Sequence, residues 1–354
     1  MLLVEDKPQT KEKENTMSGH NHPQNRTRKG WTILVGAVVV TLLLSGCAKT
    51  PKVYHVGILS DGGNFAPIGD GFKAEMTALG YIEGQNIVYD MRNANSVPAE
   101  EQRLAKQLVD AKVDLIFAFP APCAEAAHAA TQGTNIPVVF GFTQIEGKNL
   151  VKSVREPGGN MTGVRYAGPE LISRRLEILH EIAPQVKRVW VGYDRNGSNN
   201  PTALAALRLA ASSLGITLVE VPVTAEEEFE ADLAARAALA DIGLDAILTM
   251  PDNFNTSSTG FAVLSKFAAE HNVPLAGGLA FQVKQGALFI NGSNFTNEGK
   301  LAAPLADKIF KGTQAGTIPV VTPEQTLVIN YKVAQQLGLT VPKGLLNMAD
   351  EIIR

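Results

Sequence analysis

The chain has 354 residues, with 32 Lys and Arg against 35 Asp and Glu, for a formal net charge of −3. Six of the basic and four of the acidic side chains fall in the first 46 residues, so the remainder is more acidic still. That balance excludes nucleic acid as a partner. Cys47 and Cys123 are too few for a disulfide framework, and the length beyond residue 46 supports two domains with full cores.

Arg26, Arg28 and Lys29 precede a mostly apolar run from Trp31 to Leu44, which closes in Leu44-Ser45-Gly46-Cys47. This order is the layout of a secretory signal, and the run is short of the roughly 20 residues a membrane-spanning helix needs. Leu-Ser-Gly-Cys resembles the lipobox of bacterial lipoproteins. The resemblance implies that residues 1–46 are a removed leader, that Cys47 carries the lipid, and that 47–52 tether a soluble body to a bacterial membrane, facing the periplasm or the cell exterior. The polar stretch 1–25, with an internal Met17, is assigned no function.

From Val53 onward, apolar runs of strand length alternate with helix-period segments. Val53–Leu59 reads as a strand ending in the turn formers Ser60-Asp61-Gly62-Gly63-Asn64. Ala66–Leu79 is a helix stopped by Gly80, Asn86–Met91 a strand, and Pro98–Ala111 a helix with proline at its start. Val113–Phe119 is an apolar strand, Cys123–Thr131 a helix, and Ile136–Phe140 another apolar strand. Strands without polar alternation, separated by helices, indicate parallel sheets covered on both faces. The order then recurs: helix Leu171–Ile182, strand Arg188–Tyr193, helix Pro201–Leu214, strand Ile216–Val221, helix Glu226–Asp241, strand Leu244–Met250, helix Thr256–His271 and strand Val273–Ala276. Gly286–Ile290 and Thr326–Ile329 read as further strands, Asn297–Phe310 as a helix, and two helices at 331–337 and 344–353 close the chain.

The recurrence extends to the letters. Val113–Pro120 has a counterpart in Leu244–Pro251, 131 positions on; Asn135–Val138 returns as Asn272–Leu275, 137 on; and Leu79-Gly80-Tyr81 returns as Leu214-Gly215-Ile216, 135 on. A near-constant offset means two similar lobes, each too long for one unit of a solenoid, and a cleft between lobes is where small ligands usually bind. Glu156–Gly163, dense in Gly and Pro, is expected to be a crossing point that absorbs backbone rotation, with a surface turn as the plainer reading.

Five stretches point to a family: Leu79-Gly80-Tyr81-Ile82-Glu83-Gly84-Gln85-Asn86, Lys112–Ile116, Asn135–Phe140, Glu156-Pro157-Gly158-Gly159-Asn160-Met161-Thr162-Gly163, and Leu327–Asn330 with Leu337–Leu339. With them the chain resembles the substrate-binding lipoproteins of ABC transporters in the group that includes tryptophan and other aromatic-amino-acid binders. The resemblance implies an α/β fold of the periplasmic-binding-protein type I kind, two Rossmann-like lobes with parallel sheets joined by hinge crossings. On that basis 53–164 with about 291–312 are expected to form lobe one, and 165–290 with about 313–354 lobe two. It also implies capture of a small amino-acid-like, aromatic or apolar ligand by hinge closure, and delivery to separately encoded permease and ATPase subunits. A ligand-sensing receptor feeding a membrane signalling protein is the alternative. Asp252-Asn253 match an Asp-Asn pair of the family, whereas Ala121, Thr143-Gln144-Ile145 and Gly278-Leu279 depart from its usual residues, leaving the ligand open.

In doubly wound sheets, ligands sit beyond the carboxyl ends of the strands. That rule selects loops 60–65, 119–123 and 141–144 in lobe one, and 194–200, 251–255 and 277–281 in lobe two. The ligand-binding candidates are Ser60, Asp61, Asn64, Phe65, Phe119, Phe142 and Thr143 on an aromatic wall, facing Asp194, Asn196, Asp252 and Asn253 on a polar, acidic one. Taken singly, each phenylalanine also fits a core position and each Asx residue a helix cap. No cofactor, metal or catalytic residue is expected: no G-x-G-x-x-G follows a strand, no cluster has metal-site spacing, and Cys123 and His128 lie five apart on one helix, an offset that does not stack side chains.

Overall fold

The computed structural model describes residues 52–354; the leader, the lipidation candidate Cys47 and the tether up to Pro51 lie outside the described residues. The first half lays down β1 (Tyr54–Ser60), α1 (Ala66–Ala78), β2 (Ile87–Asn93), α2 (Pro98–Asp110), β3 (Leu115–Phe119), α3 (Ala121–Thr131), β4 (Val138–Thr143) and β5 (Met161–Arg165). These strands form a parallel sheet in the order β2-β1-β3-β4-β5. Every residue of β3 is buried, as expected of a central strand covered by helices on both faces.

The second half supplies α4 (Gly168–Ile182), β6 (Arg188–Asp194), α5 (Asn200–Leu214), β7 (Thr217–Val223), α6 (Glu227–Ala237), β8 (Ala246–Leu248), α7 (Asn253–Thr256), α8 (Ser258–His271), β9 (Leu275–Gly277), α9 (Ala280–Lys284) and β10 (Phe289–Gly292). There follow α10 (Phe295–Phe310), β11 (Thr326–Asn330), α11 (Tyr331–Gln336), α12 (Lys343–Met348) and β12 (Glu351–Ile353). The second sheet runs β12-β11-β10-β9-β8-β6-β7. Its stretch β7-β6-β8-β9-β10 repeats the order of the first sheet strand for strand, so the duplication read from the letters is a duplication of topology. Among the described strands only the β10–β11 pair is antiparallel.

The chain passes between the sheets three times, over 165–168, 292–295 and 321–326. On the second passage α10 returns to the first sheet and packs on α1, where a Cβ on Gly71 would sit 2.1 Å from Thr296 O and one on Gly299 would sit 1.9 Å from Ile68 O. Residues 315–321 then run beside β5, with Val321 bridging Val164, so the return to the second sheet comes later than position 313. Arg165 ties two passages together: its Nε donates to Thr322 Oγ1 at 2.9 Å, and its guanidinium pairs with Glu146 and, at 2.7 Å, with Glu170.

Three expectations need correction. Pro157–Gly159 is not the crossing: β5 starts just beyond it and crosses at its far end, while Gly158 and Gly159 turn with φ of 69° and 58° against Gly316. The helix over 256–271 breaks at Ser257, whose hydroxyl caps the new start by accepting from Gly260 N at 2.8 Å. The last helix stops at Met348; Asp350 exchanges hydrogen bonds with Leu327, and Glu351–Ile353 then pair with β11 as an edge strand. Among the described residues no helix is long and apolar enough to cross a membrane.

Candidate binding site

Both sheets turn their carboxyl ends toward one cavity, which leaves about 80 Å³ open to the centre of a water-sized sphere, several times what one buried water needs. Lobe one supplies an aromatic wall. Phe65 and Phe142 lie 5.9 Å apart and Phe142 and Tyr166 4.7 Å apart, all three lining the cavity. Phe142 reaches it through a strained backbone. Its φ of 45° lies in the left-handed region, beside the shift of register between β4 and β5, and a bulky side chain takes that conformation only where its surroundings hold it there.

Lobe two supplies the polar wall, organised by Asp252 at the start of α7. One carboxylate oxygen accepts from Asn255 N at 3.0 Å and Asn255 Nδ2 at 2.9 Å; the other accepts from Asp194 N at 3.0 Å and Asn200 Nδ2 at 2.9 Å. Burial pushes the Asp252 carboxyl up from its ordinary value, against these four bonds, which favour the ionised form. Asp252 therefore fixes the shape of the wall. Asp194 beside it is half-buried and accepts from Asn196 N at 2.8 Å. Gln282 holds the next loop by accepting from Gly278 N at 2.7 Å and Leu279 N at 3.0 Å.

Arg175, 2 % exposed on α4, is the one cation among the described residues lining the cavity. Its Nε donates to Asn291 O at 2.7 Å, Nη1 to Thr249 O at 3.4 Å and Nη2 to the Tyr166 hydroxyl at 3.0 Å. Gly278 is required beside it, since a Cβ there would lie 2.4 Å from Nη2 and 2.5 Å from Cζ.

Of the residues expected at the site, Phe65, Phe142, Asp194, Asp252 and Asn253 line this cavity. Six do not. Phe119 is packed into the core against Phe117, with ring centroids 4.8 Å apart. Thr143 is buried and donates to Gly141 O at 2.9 Å, and the Ser60 hydroxyl accepts from Gly62 N at 3.3 Å. Asp61 is buried where it accepts from Ser96 N at 3.1 Å and from the Cys123 thiol at 3.4 Å; burial pushes both groups up, and nearby Glu101 up to about 7. Asn64 is spent on a contact across the cleft, donating to Thr256 O at 3.0 Å, and Asn196 is exposed outside the cavity. Tyr166, Arg175, Thr249 and Gln282 lie outside the six loops and were not expected. Arg175 carried a signal: it occupies the apolar stripe of α4, between Leu171 and Leu179, where a charge has no reason to sit unless it does something. Among the described residues no group of three His, Cys, Asp or Glu side chains is placed to hold a metal.

The lobes touch around the cavity rim. Besides Asn64 and Thr256, Gln144 Nε2 donates to Thr202 Oγ1, and Lys148 Nζ, paired with Glu125, donates to Ser198 Oγ at 2.7 Å. Two lobes of one topology, meeting at a small cavity with an aromatic and a polar wall, have the build of a small-ligand-binding protein. The chain belongs to the family described as ABC transporter substrate binding protein, whose model matches residues 56–353; this is a family of solute-binding proteins and not of enzymes. It is similar to the tyrosine-binding protein of Clostridioides difficile, 27 % identical over 333 residues that cover 89 % of this chain and 93 % of the relative. Among solved structures it is similar to an ABC domain from Streptococcus pneumoniae in complex with L-Trp, at 25 % identity and a TM-score of 0.76, over 85 % of this chain and 100 % of the other. The ligand-free, open structure of a Clostridium difficile substrate binding protein with adhesive properties is 26 % identical with a TM-score of 0.66, over 85 % and 99 %. The fold is that of type I periplasmic binding proteins.

Proposed function

We propose that this chain is the extracytoplasmic capture component of an ABC importer, tethered to a bacterial membrane by a lipid on Cys47 and delivering a small solute to separate permease and ATPase subunits. The observation that carries the reading is the cavity itself, shared between the carboxyl ends of two like sheets and rimmed by contacts from lobe to lobe. An open form takes the solute on one wall, and closure follows when contacts with the second wall outweigh the cost of bending the three passages. The closer fit to the tryptophan complex than to the open structure, at nearly equal identity and coverage, supports the closed reading. The aromatic wall suits a planar or apolar group, in keeping with the tyrosine and tryptophan named for the relatives.

The test has two arms. A thermal-shift screen of amino acids, aromatic acids, nucleosides and sugars should raise the melting temperature with one small class only, and micromolar affinity, about −8 kcal/mol, suffices for capture and release. Expressed in a bacterial host, the wild-type chain should fractionate with membranes, and Cys47→Ser should move it to the soluble fraction. A chain that no small solute stabilises, or that stays in the membrane fraction without Cys47, contradicts the corresponding half of the proposal.

A further inference from the structure

Arg175 buries a guanidinium with no carboxylate in ion-pair contact among the described residues, whereas the other well-buried cations, Lys148 and Arg165, are paired with Glu125 and with Glu146 and Glu170. A charge taken out of water is costly unless it is paired, so an unpaired one lining a cavity calls for a counter-ion. The donors agree. A guanidinium has five N–H groups, and three are spent on Asn291 O, Thr249 O and the Tyr166 hydroxyl. One N–H remains on each of Nη1 and Nη2, the number a carboxylate takes in a bidentate pair. The Tyr166 hydroxyl, accepting from Nη2, keeps its own proton and donates it to nothing else among the described residues; it too lines the cavity.

We infer that Arg175 and Tyr166 form an anchor for a carboxylate, and that the transported solute is a small organic acid whose planar or apolar part rests on Phe65 and Phe142. The inference rests on the capture reading and names the chemical class of its solute. Gly278 belongs to the anchor as the residue whose missing side chain admits the guanidinium. A charge on the apolar stripe of α4, destabilising by itself, is retained because the solute neutralises it.

The experiment uses matched pairs on the purified chain: benzoate and benzamide, 4-hydroxybenzoate and 4-hydroxybenzamide, L-tyrosine and L-tyrosinamide, L-tryptophan and L-tryptophanamide, with inorganic phosphate as an anion control. Melting temperature identifies binders and calorimetry gives their affinities. At least one acid should bind, and its amide at least ~30-fold more weakly, the loss typical of a buried charge deprived of its partner. Arg175→Gln should lose ~30-fold or more for that acid, and Tyr166→Phe, which keeps the wall and the fold, about tenfold, the loss of one charge-assisted hydrogen bond. An amide that matches its acid, phosphate that displaces it at equal concentration, or a Tyr166→Phe chain that binds it unchanged overturns the anchor. If only a neutral compound binds, the anchor is wrong and the capture reading survives. If none of these acids binds, the anchor for an aromatic acid falls, and the capture reading falls with it only when the wider screen of amino acids, nucleosides and sugars is also blank.

Discussion

Glu298 is a carboxylic acid with no exposed surface, set in the first turns of α10 beside Ser293 of the second passage and the backbone N–H of the strained Phe142. Burial pushes it up to about 8, against the weaker opposing pull of those two groups. The folded chain therefore keeps Glu298 protonated up to about pH 8, while the unfolded chain ionises it near 4.5. A folded-state value above the unfolded one means that its contribution to stability is complete below pH 4.5 and is lost as the pH rises to 8. Glu298→Gln removes the titration but keeps the shape. Denaturant unfolding should show the variant gaining on the wild type by on the order of 3 kcal/mol between about pH 5 and pH 8. A difference that stays constant over that range would mean that Glu298 is ionised in the fold. Asp252, also pushed up by burial, differs because four donors hold it; that is why the sequence could flag it as a cap or as a contact but could not say which.

At the scale of elements, what the letters revealed and what they hid have separate physical causes. Central strands such as β3 are apolar throughout, and Gly80 and Gly215 stop their helices, so the βα alternation was legible from composition and punctuation alone. The six loops were legible too, because position at a strand's carboxyl end follows from topology. Which side chains point inward was not: Phe119 and Phe142 look alike as letters, but Phe119 packs in the core from a regular strand, while Phe142 reaches the cavity where the register of β4 shifts and its own φ turns positive. β12 escaped notice because Glu-Ile-Ile at the end of a helical pattern becomes a strand only when β11 offers an edge. The contact of α1 with α10 was equally hidden, since Gly71 and Gly299, which carry it, lie far apart in the chain. There the backbones meet so closely that Gly299→Ala would place a methyl group 1.9 Å from Ile68 O, a main-chain atom with no rotamer to give. The expected cost is about 2–4 kcal/mol, read as a lower urea midpoint with the slope unchanged. A Gly299→Ala chain as stable as the wild type would show that the helices slide apart without penalty.

For the whole molecule, side chains at the cavity rim hold the two lobes together where no solute bridges them. Gln144, Lys148 and Asn64 reach from the first lobe to Thr202, Ser198 and Thr256 of the second. These contacts sit at the rim, none of them belongs to the residues that would grip a carboxylate, and their partners are hydroxyls and a main-chain carbonyl. Neutral hydrogen bonds of this kind are worth about 1 kcal/mol each, and the charged Lys148 somewhat more. Contacts of this strength would hold a closed form within reach without locking it, as the proposed cycle of capture and release requires. Under the proposed closure a solute touches both walls only in the closed form, so its apparent affinity should scale with the fraction of molecules that can close. Gln144→Ala combined with Lys148→Ala should therefore leave the melting temperature of the empty chain nearly unchanged, enlarge its radius of gyration in small-angle scattering, and weaken binding by about thirtyfold, the equivalent of two lost contacts. Saturating solute should bring the radius of gyration of the double variant back to the wild-type value. That recovery separates a shifted equilibrium from a damaged site: a double variant that binds weakly yet scatters like the wild type when empty would place these residues in the grip itself and leave closure to the three passages alone.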